Sequence, residues 1–221
     1  MLSAAQHEAV TSEAARPLQI LAGPGSGKTR VLTSRVAWLV RDSATPIAPE
    51  RCVVVTFTNR AANEMRARLE SMIGADRTRR LVLGTFHAVC VRFLRRWGAR
   101  CLGLDPRFTI ADTDDARRLL RDVERDADAA LSAISRAKAH GWTPDELRAS
   151  AQHAPGSPAH TEHLALCRTY AAYQQQLRTS HALDFDDLLL LGVRLFREHP
   201  ELTTHIDHVL VDEFQDTNAV Q

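Results

Sequence analysis

The sequence predicts an α/β fold in which a parallel sheet carries an inserted all-helical segment. Three observations predict it. Over the first 88 residues, short apolar, β-branched runs alternate with stretches of helical spacing. From Phe86 to about Leu202 the pattern is mostly helical. A last apolar run, residues 208–212, returns to strand character. Apolar strands that alternate with helices imply a parallel sheet covered on both faces.

The elements follow in order. Residues 18–22, with Leu18, Ile20 and Leu21, form a short apolar run ending in glycines and read as a buried strand. A helix starts near Gly27 and carries Val31, Leu32, Val36, Leu39 and Val40; Pro46 and Pro49 lie beyond its end. Residues 52–57 are β-branched and read as a second strand. Residues 61–73 form a helix with Met65, Leu69, Met72 and Ile73 on its apolar side. Residues 81–85 are a third strand and 208–212 a fourth. Between them, Val89, Cys90, Phe93, Leu94 and Trp97 make one helical stripe, and 116–130 and 164–177 repeat the pattern. Residues 154–158, with Pro155, Gly156 and Pro158, are a loop. The resulting organisation is an α/β domain over 1–88 and 207–221, interrupted by a helical subdomain over 89–206.

Composition narrows the function classes. The 221 residues are 44% hydrophobic and 25% charged, ordinary values for a soluble globular chain. No apolar run approaches the ~18 residues of a membrane span, and the N-terminus has no basic stretch leading into an apolar segment. Cys52, Cys90, Cys101 and Cys167 form no CxxC pair, so a disulfide framework or zinc site has little support and a reducing, cytoplasmic compartment is expected. His87, His205 and His208 lack partners at metal-ligand spacing. The net charge of +1 means that any nucleic-acid contact must be local. Arg77, Arg79, Arg80, Arg92, Arg95, Arg96 and Arg100 stand against a single Asp76. The following stretch reverses the sign, with Asp105, Asp112, Asp114, Asp115, Asp122, Glu124, Asp126 and Asp128. Each run fits either a solvated helix face or a local contact surface.

Two strings carry chemistry. Ala22, Gly23, Pro24, Gly25, Ser26, Gly27, Lys28 and Thr29 match a phosphate-binding loop, with alanine at the first glycine position. The glycines let backbone N–H groups converge on phosphate oxygens, and the following helix points its positive end at the same place. Lys28 would reach the terminal phosphates and Thr29 would offer its hydroxyl to Mg2+. Asp212 and Glu213 follow an apolar strand. Carboxylates there are costly without a cation. Alone, such a pair is common in surface turns; together with the loop it points to Asp212 on Mg2+ and Glu213 activating water.

The motifs in order resemble the UvrD/Rep-type helicases of superfamily one. Asp212, Glu213, Phe214, Gln215, Asp216, Thr217 and Asn218, with Gln221, look like the family's acidic motif. Residues 2–10, around Gln6, resemble its N-terminal glutamine motif. Residues 56–65 resemble the first DNA-contact motif and 84–88 the second, with Ala88 where serine is frequent. Residues 183–189 resemble the segment that returns the inserted domain to the motor core. The resemblance implies a RecA-like domain that binds Mg·ATP and single-stranded DNA. It implies that Gln6 reads adenine, Arg30 packs near the base and Gln215 senses the terminal phosphate. It further implies that Phe57, Thr58 and Asn59, with Thr85, Phe86 and His87, line the DNA path. Read from the residues alone, Phe57 and Phe86 follow strand ends, where an aromatic either packs in the core or stacks on a base.

The resemblance also implies what lies past Gln221: a strand that inserts between the acidic and phosphate-loop strands, and a second RecA-like domain. The sheet is then expected to be incomplete at the C-terminus. The reading is the N-terminal motor portion of a 3′-to-5′ DNA helicase, in a cytoplasmic, nucleoid-associated setting. The alternatives are a stand-alone ATP-dependent DNA-binding module without motor activity, or an inactive fragment.

Overall fold

The computed structural model describes residues 2–13, 16–151, 154 and 156–221. Among them are five strands: β1 (Cys52–Thr56), β2 (Val82–Thr85), β3 (Thr109–Ala111), β4 (Ala182–Asp184) and β5 (His208–Val211). The chain divides into two compact units. One comprises Met1–Val89 with Leu202–Gln215, the other Cys90–Glu201 with Asp216–Gln221.

The first unit is built on a three-stranded parallel sheet in the order β2-β1-β5. Every residue of β1 is buried, which suits its run of valines, because a parallel strand covered on both faces has no polar side. The helices of this unit are α1 (Ala4–Thr11), α2 (Lys28–Ala37), α3 (Asn59–Ile73) and α4 (Ala75–Arg80). The Thr58 hydroxyl caps α3 by accepting from the Ala61 amide, and Ala62, Met65, Leu69 and Ile73 then fall on one buried face. Met65 and Leu69 pack with Val36, Val40, Val54 and Leu83 in one core. Full burial of such a side chain contributes about 1.5–3 kcal/mol. Arg51 closes the sheet's other end with two hydrogen bonds to the Asp207 carboxylate, at 2.5 and 2.6 Å, tying the start of β1 to the start of β5. The sequence-predicted helix from Gly27 is present, and its last residues 38–42 widen into a π-turn.

The strand expected over 18–22 does not form. These residues pair with no strand among those described, and Leu18, Ile20 and Leu21 are 44%, 36% and 84% exposed. Apolar residues become a strand only where a neighbour satisfies their backbone. Both edges of β1 are occupied by β2 and β5, and the outer edge of β5 pairs with nothing among the described residues.

The second unit is helical: α5 (Phe86–Phe93) leads into it, followed by α6 (Ala99–Leu102), α7 (Thr113–Arg121), α8 (Ala127–Ala139), α9 (Pro144–Ala149), α10 (Pro158–Thr179) and α11 (Phe185–Glu198). Two expectations change here. The single helical pattern over 116–130 is two helices, broken after Arg121, because Asp126 starts α8 by capping the Ala129 amide. The region is also not wholly helical, since β3 and β4 pair in parallel from Thr109↔Ala182 to Ala111↔Asp184. Three-residue strands carry too little alternation to register in a sequence. Of the loop expected over 154–158, Pro155 lies outside the described residues. No helix among the described residues is long and apolar enough to cross a membrane.

The core of this unit encloses a charge cluster. Lys138, on α8, is 1% exposed and donates to Asp184 Oδ2 at 2.6 Å and lies 2.7 Å from Asp187 Oδ1. The Tyr173 hydroxyl donates to Asp184 at 2.9 Å and Gln174 Nε2 to Asp187 at 2.7 Å. The two aspartates also cap α11, each accepting from the other's amide. Burial disfavours the Lys138 ammonium, but Asp187 and Asp184 outweigh it and hold its pKa above the ordinary lysine value. Asp187 is itself raised by burial, against the pull of Lys138. Removing one partner of a buried pair leaves the other uncompensated, typically at about 3–5 kcal/mol. Lys138→Met should therefore lower stability by that order in a urea melt. A loss below about 1 kcal/mol would show that solvent reaches the two aspartates.

Candidate phosphate-binding site

The glycine loop leaves the apolar run at Ala22 and enters α2 at Lys28. Gly25 and Gly27 adopt φ of 75° and 87°, the left-handed region that glycine alone enters freely. Ser26 folds the loop back, its amide and hydroxyl both donating to the Gly23 carbonyl. Lys28 Nζ donates to the carbonyls of Ala22 at 3.1 Å and Gly23 at 3.3 Å, so the ammonium lies inside the loop. No side chain caps α2. The first N–H groups of a helix have no intrahelical acceptor and carry the positive end of its dipole. Uncapped donors, a lysine and the half-buried Thr29 hydroxyl thus meet at one place suited to an anion and a hard cation. Pro24 and Arg30 are exposed at its rim.

Gln6 reaches this loop from α1. Its amide oxygen accepts from the Ser3 amide, and its Nε2 donates to the Ser26 carbonyl at 2.9 Å. What holds α1 there was not visible in the sequence. The Arg35 guanidinium, buried on α2, donates to the carbonyls of Ala9, Val10 and Ser12, each at 3.1 Å, and to the Ser12 hydroxyl. It satisfies the end of α1, and burial lowers its pKa. An arginine in the middle of an apolar helical stripe was the available signal.

Asp212 follows β5, and its amide donates to the Val55 carbonyl at 2.9 Å. It is 8% exposed. Burial and the adjacent Glu213 charge hold its carboxyl above the ordinary value, while the Lys28 charge pulls it down. Glu213 is exposed and sits at φ 50°, costly for a side-chain-bearing residue by about 1–2 kcal/mol. Gln215 Nε2 donates to Glu213 Oε2 at 2.5 Å, which links two residues the sequence had treated separately.

The parallel register brings the remaining motif residues to the same edge of the sheet. Thr56 lies opposite Thr85, so Phe57 and Phe86 leave neighbouring strands side by side. Their rings meet edge to face with centroids 5.5 Å apart, each half-buried. Thr58 and Thr85 serve the helices, accepting from the amides of Ala61 at 3.1 Å and Ala88 at 3.2 Å. Asn59 is exposed in the first turn of α3, and His87 is half-buried in the first turn of α5. Gly84 allows that turn to approach, because a Cβ there would lie 3.2 Å from Ala88 Cβ. Among the described residues, no group of three or more His, Cys, Asp or Glu could hold a metal.

The family model for the UvrD/REP helicase N-terminal domain matches residues 2–221. The chain is 40% identical, over its whole length, to a Mycobacterium bovis protein named ATP-dependent DNA helicase UvrD1, covering 29% of that protein. It is 37% identical over its whole length to a Staphylococcus epidermidis ATP-dependent DNA helicase PcrA, covering 30% of it. Over 93% of its length it is 40% identical to the PcrA of Leuconostoc citreum, covering 28% of that protein. The chain thus spans less than a third of these relatives.

The raised carboxyl of Asp212 gives a test. A pKa higher in the folded state means that the native protein holds the proton more tightly than the unfolded chain. Asp212's contribution to stability therefore falls as pH rises through its folded value. Asp212→Asn should raise the melting temperature at neutral pH, with the gain vanishing once the medium is acid enough to protonate the wild-type carboxyl. Scanning calorimetry across pH checks this. A variant that melts lower at neutral pH would mean that Lys28 outweighs the burial.

Proposed function

The chain belongs to the UvrD/REP helicase family, and from that premise we propose that it is the N-terminal motor portion of an ATP-dependent 3′-to-5′ DNA helicase. In this reading residues 1–88 and 207–221 are segments of a RecA-like domain, 89–206 are its inserted helical subdomain, and the domain works with a second RecA-like domain. The observation that carries the reading is the loop itself. Left-handed Gly25 and Gly27 turn an uncapped helix start and Lys28 toward one place, and the buried Asp212 feels the Lys28 charge.

Each residue has a role that its position supports. The backbone from Gly23 to Thr29 holds phosphate oxygens, and Lys28 exchanges its contacts with the Ala22 and Gly23 carbonyls for the terminal phosphates. Gln6, already at the loop, turns its amide to the adenine edge, and Arg30 packs near the base. Thr29 and Asp212 would hold Mg2+, a fit of hard oxygen donors to a hard cation in which a carboxylate disfavoured by burial gains a positive neighbour. Bound there, Mg2+ would neutralise charge on the phosphate oxygens. Glu213 accepts the proton of the attacking water or aligns it. Gln215, hydrogen-bonded to Glu213, registers the loss of the terminal phosphate. Phe57 and Phe86 offer ring faces to the bases of single-stranded DNA, with Thr58, Asn59, Thr85 and His87 beside them.

Titration calorimetry of Mg·ATP against the 221-residue chain tests the nucleotide half. Lys28→Ala removes a charge-assisted hydrogen bond worth about 1.5–3 kcal/mol and should weaken binding about 10- to 150-fold. Glu213→Gln should bind as the wild type does, and in the full-length protein should stop hydrolysis. Equal hydrolysis by Glu213→Gln and wild type would remove Glu213 from its role.

Phe57→Ala should weaken single-stranded DNA binding by about 1–3 kcal/mol at matched salt, measured by fluorescence anisotropy. Unchanged affinity would return Phe57 to a packing role against Phe86.

A further inference from the structure

Helix α1 is too small to hold itself in place. It has eight residues, and an isolated helix of that length is marginal in water. Val10 is the one residue of α1 that is buried, so little apolar area fixes the helix against the rest of the unit. Its position is nevertheless tight. Gln6 lies so close to the loop that a Cβ on Gly27 would sit 3.2 Å from Gln6 Nε2.

Two attachments set that position. In the first turn of α1, Gln6 Nε2 donates to the Ser26 carbonyl, just ahead of α2. At the other end, the carbonyls of Ala9, Val10 and Ser12 and the Ser12 hydroxyl accept from Arg35, in the last turn of α2. The two helices therefore run side by side in the same direction and are joined at both ends. The first attachment is given up if Gln6 turns its amide to a base, because Nε2 would serve both. The second then keeps α1 against α2. Arg35 suits that task. It is 7% exposed, and no carboxylate pairs with it among the described residues. Its hydrogen bonds end where the last carbonyls of a helix lack intrahelical partners and carry the negative end of the dipole. Gln6 lies three residues before Ala9 and four before Val10, so the turn that Arg35 grips is the one stacked on Gln6.

We infer that Arg35 is a positioning residue for base selection: by anchoring the end of α1 to α2, it holds Gln6 where its amide can read an adenine edge. The inference rests on the adenine role proposed for Gln6 and adds the residue through which that role is maintained. Adenine presents an amino donor and the N7 acceptor to a glutamine amide, whereas guanine presents two acceptors there. An amide fixed in place discriminates between them. On a loosened α1 the amide must first be ordered, a cost that falls on ATP and not on GTP, which gains nothing from Gln6.

Titration calorimetry of the 221-residue chain with Mg·ATP, Mg·GTP and Mg·tripolyphosphate tests this. The wild type is compared with Arg35→Met, Arg35→Lys, Ser12→Ala, Gln6→Ala and the double variant Gln6→Ala/Arg35→Met. Arg35→Met should lower the ATP-to-GTP affinity ratio by about 2- to 12-fold, the range set by ordering one side chain, and leave tripolyphosphate affinity unchanged. Arg35→Lys keeps a cation for the carbonyls and should restore part of the ratio. Ser12→Ala removes one acceptor and should lower the ratio by less than Arg35→Met does. The double variant should match Gln6→Ala alone. Thermal melts show which variants are folded; if Arg35→Met is not, Arg35→Lys and Ser12→Ala decide. A wild-type ratio in every folded Arg35 and Ser12 variant overturns the inference. So does an equal loss of tripolyphosphate affinity, which would reduce Arg35 to general support of the loop. If Gln6→Ala lowers the ratio and the Arg35 and Ser12 variants do not, this inference falls and the adenine reading stands. If Gln6→Ala leaves the ratio unchanged, or the wild type prefers neither nucleotide, the adenine reading falls and takes this inference with it.

Discussion

The constraint on which the first unit depends is the parallel register of β1 between β2 and β5. Parallel pairing places the carboxyl ends of all three strands on one edge of the sheet, and the pairs Thr56↔Thr85 and Val55↔Val211 set how they align there. Phe57, Phe86 and Asp212 are the first residues past those ends. A slip of one position on either side would turn every strand residue to the opposite face. It would also carry Phe57, Phe86 and Asp212 out of alignment with one another. The salt bridge from Arg51 to Asp207 at the opposite edge supports the register locally, but its partners are about one-third exposed and such a pair contributes little by itself. The buried faces fix the alignment.

At the loop, the same economy of backbone groups appears in another form. The Ala22 and Gly23 carbonyls face inward and would be poor company for a phosphate, yet Lys28 donates to both. The ammonium stays within reach of any anion at the uncapped start of α2. Its charge also reaches Asp212, whose ionised form burial opposes. The arrangement holds two opposing charges without an ion pair within 4 Å between them among the described residues, which leaves space for other charged groups. Glu213 bears the local strain, held at positive φ where the chain turns out of β5.

The helical unit solves a different problem. Short strands and helices of modest length enclose two tyrosines and a lysine, and the lysine satisfies two aspartates that also begin α11. Three elements separated in sequence, α8, α10 and the β4–α11 junction, are specified against one another by geometry that apolar packing does not demand. Gly192 adds a steric condition: a Cβ there would lie 2.7 Å from Cys90 Sγ, so α11 and α5 approach along a line that only glycine permits.

The sequence by itself determined the β-branched strands β1, β2 and β5, the helices on either side, the glycine-rich loop and the acidic strand end. Each depends on local chemistry: apolar periodicity, glycine's access to positive φ, and the cost of carboxylates beside an apolar run. The tertiary structure alone decided which runs became strands. Residues 18–22 have a strand's composition without a strand's partner, while 109–111 and 182–184 have little strand signal and pair with each other. It also decided which charges were spent. Lys138, Arg35 and Arg95 look in sequence like other cations, but one is enclosed by aspartates, one closes the end of α1 and one lies on Phe108. Hydrogen-bond partners many residues away set those outcomes, and no local pattern encodes them.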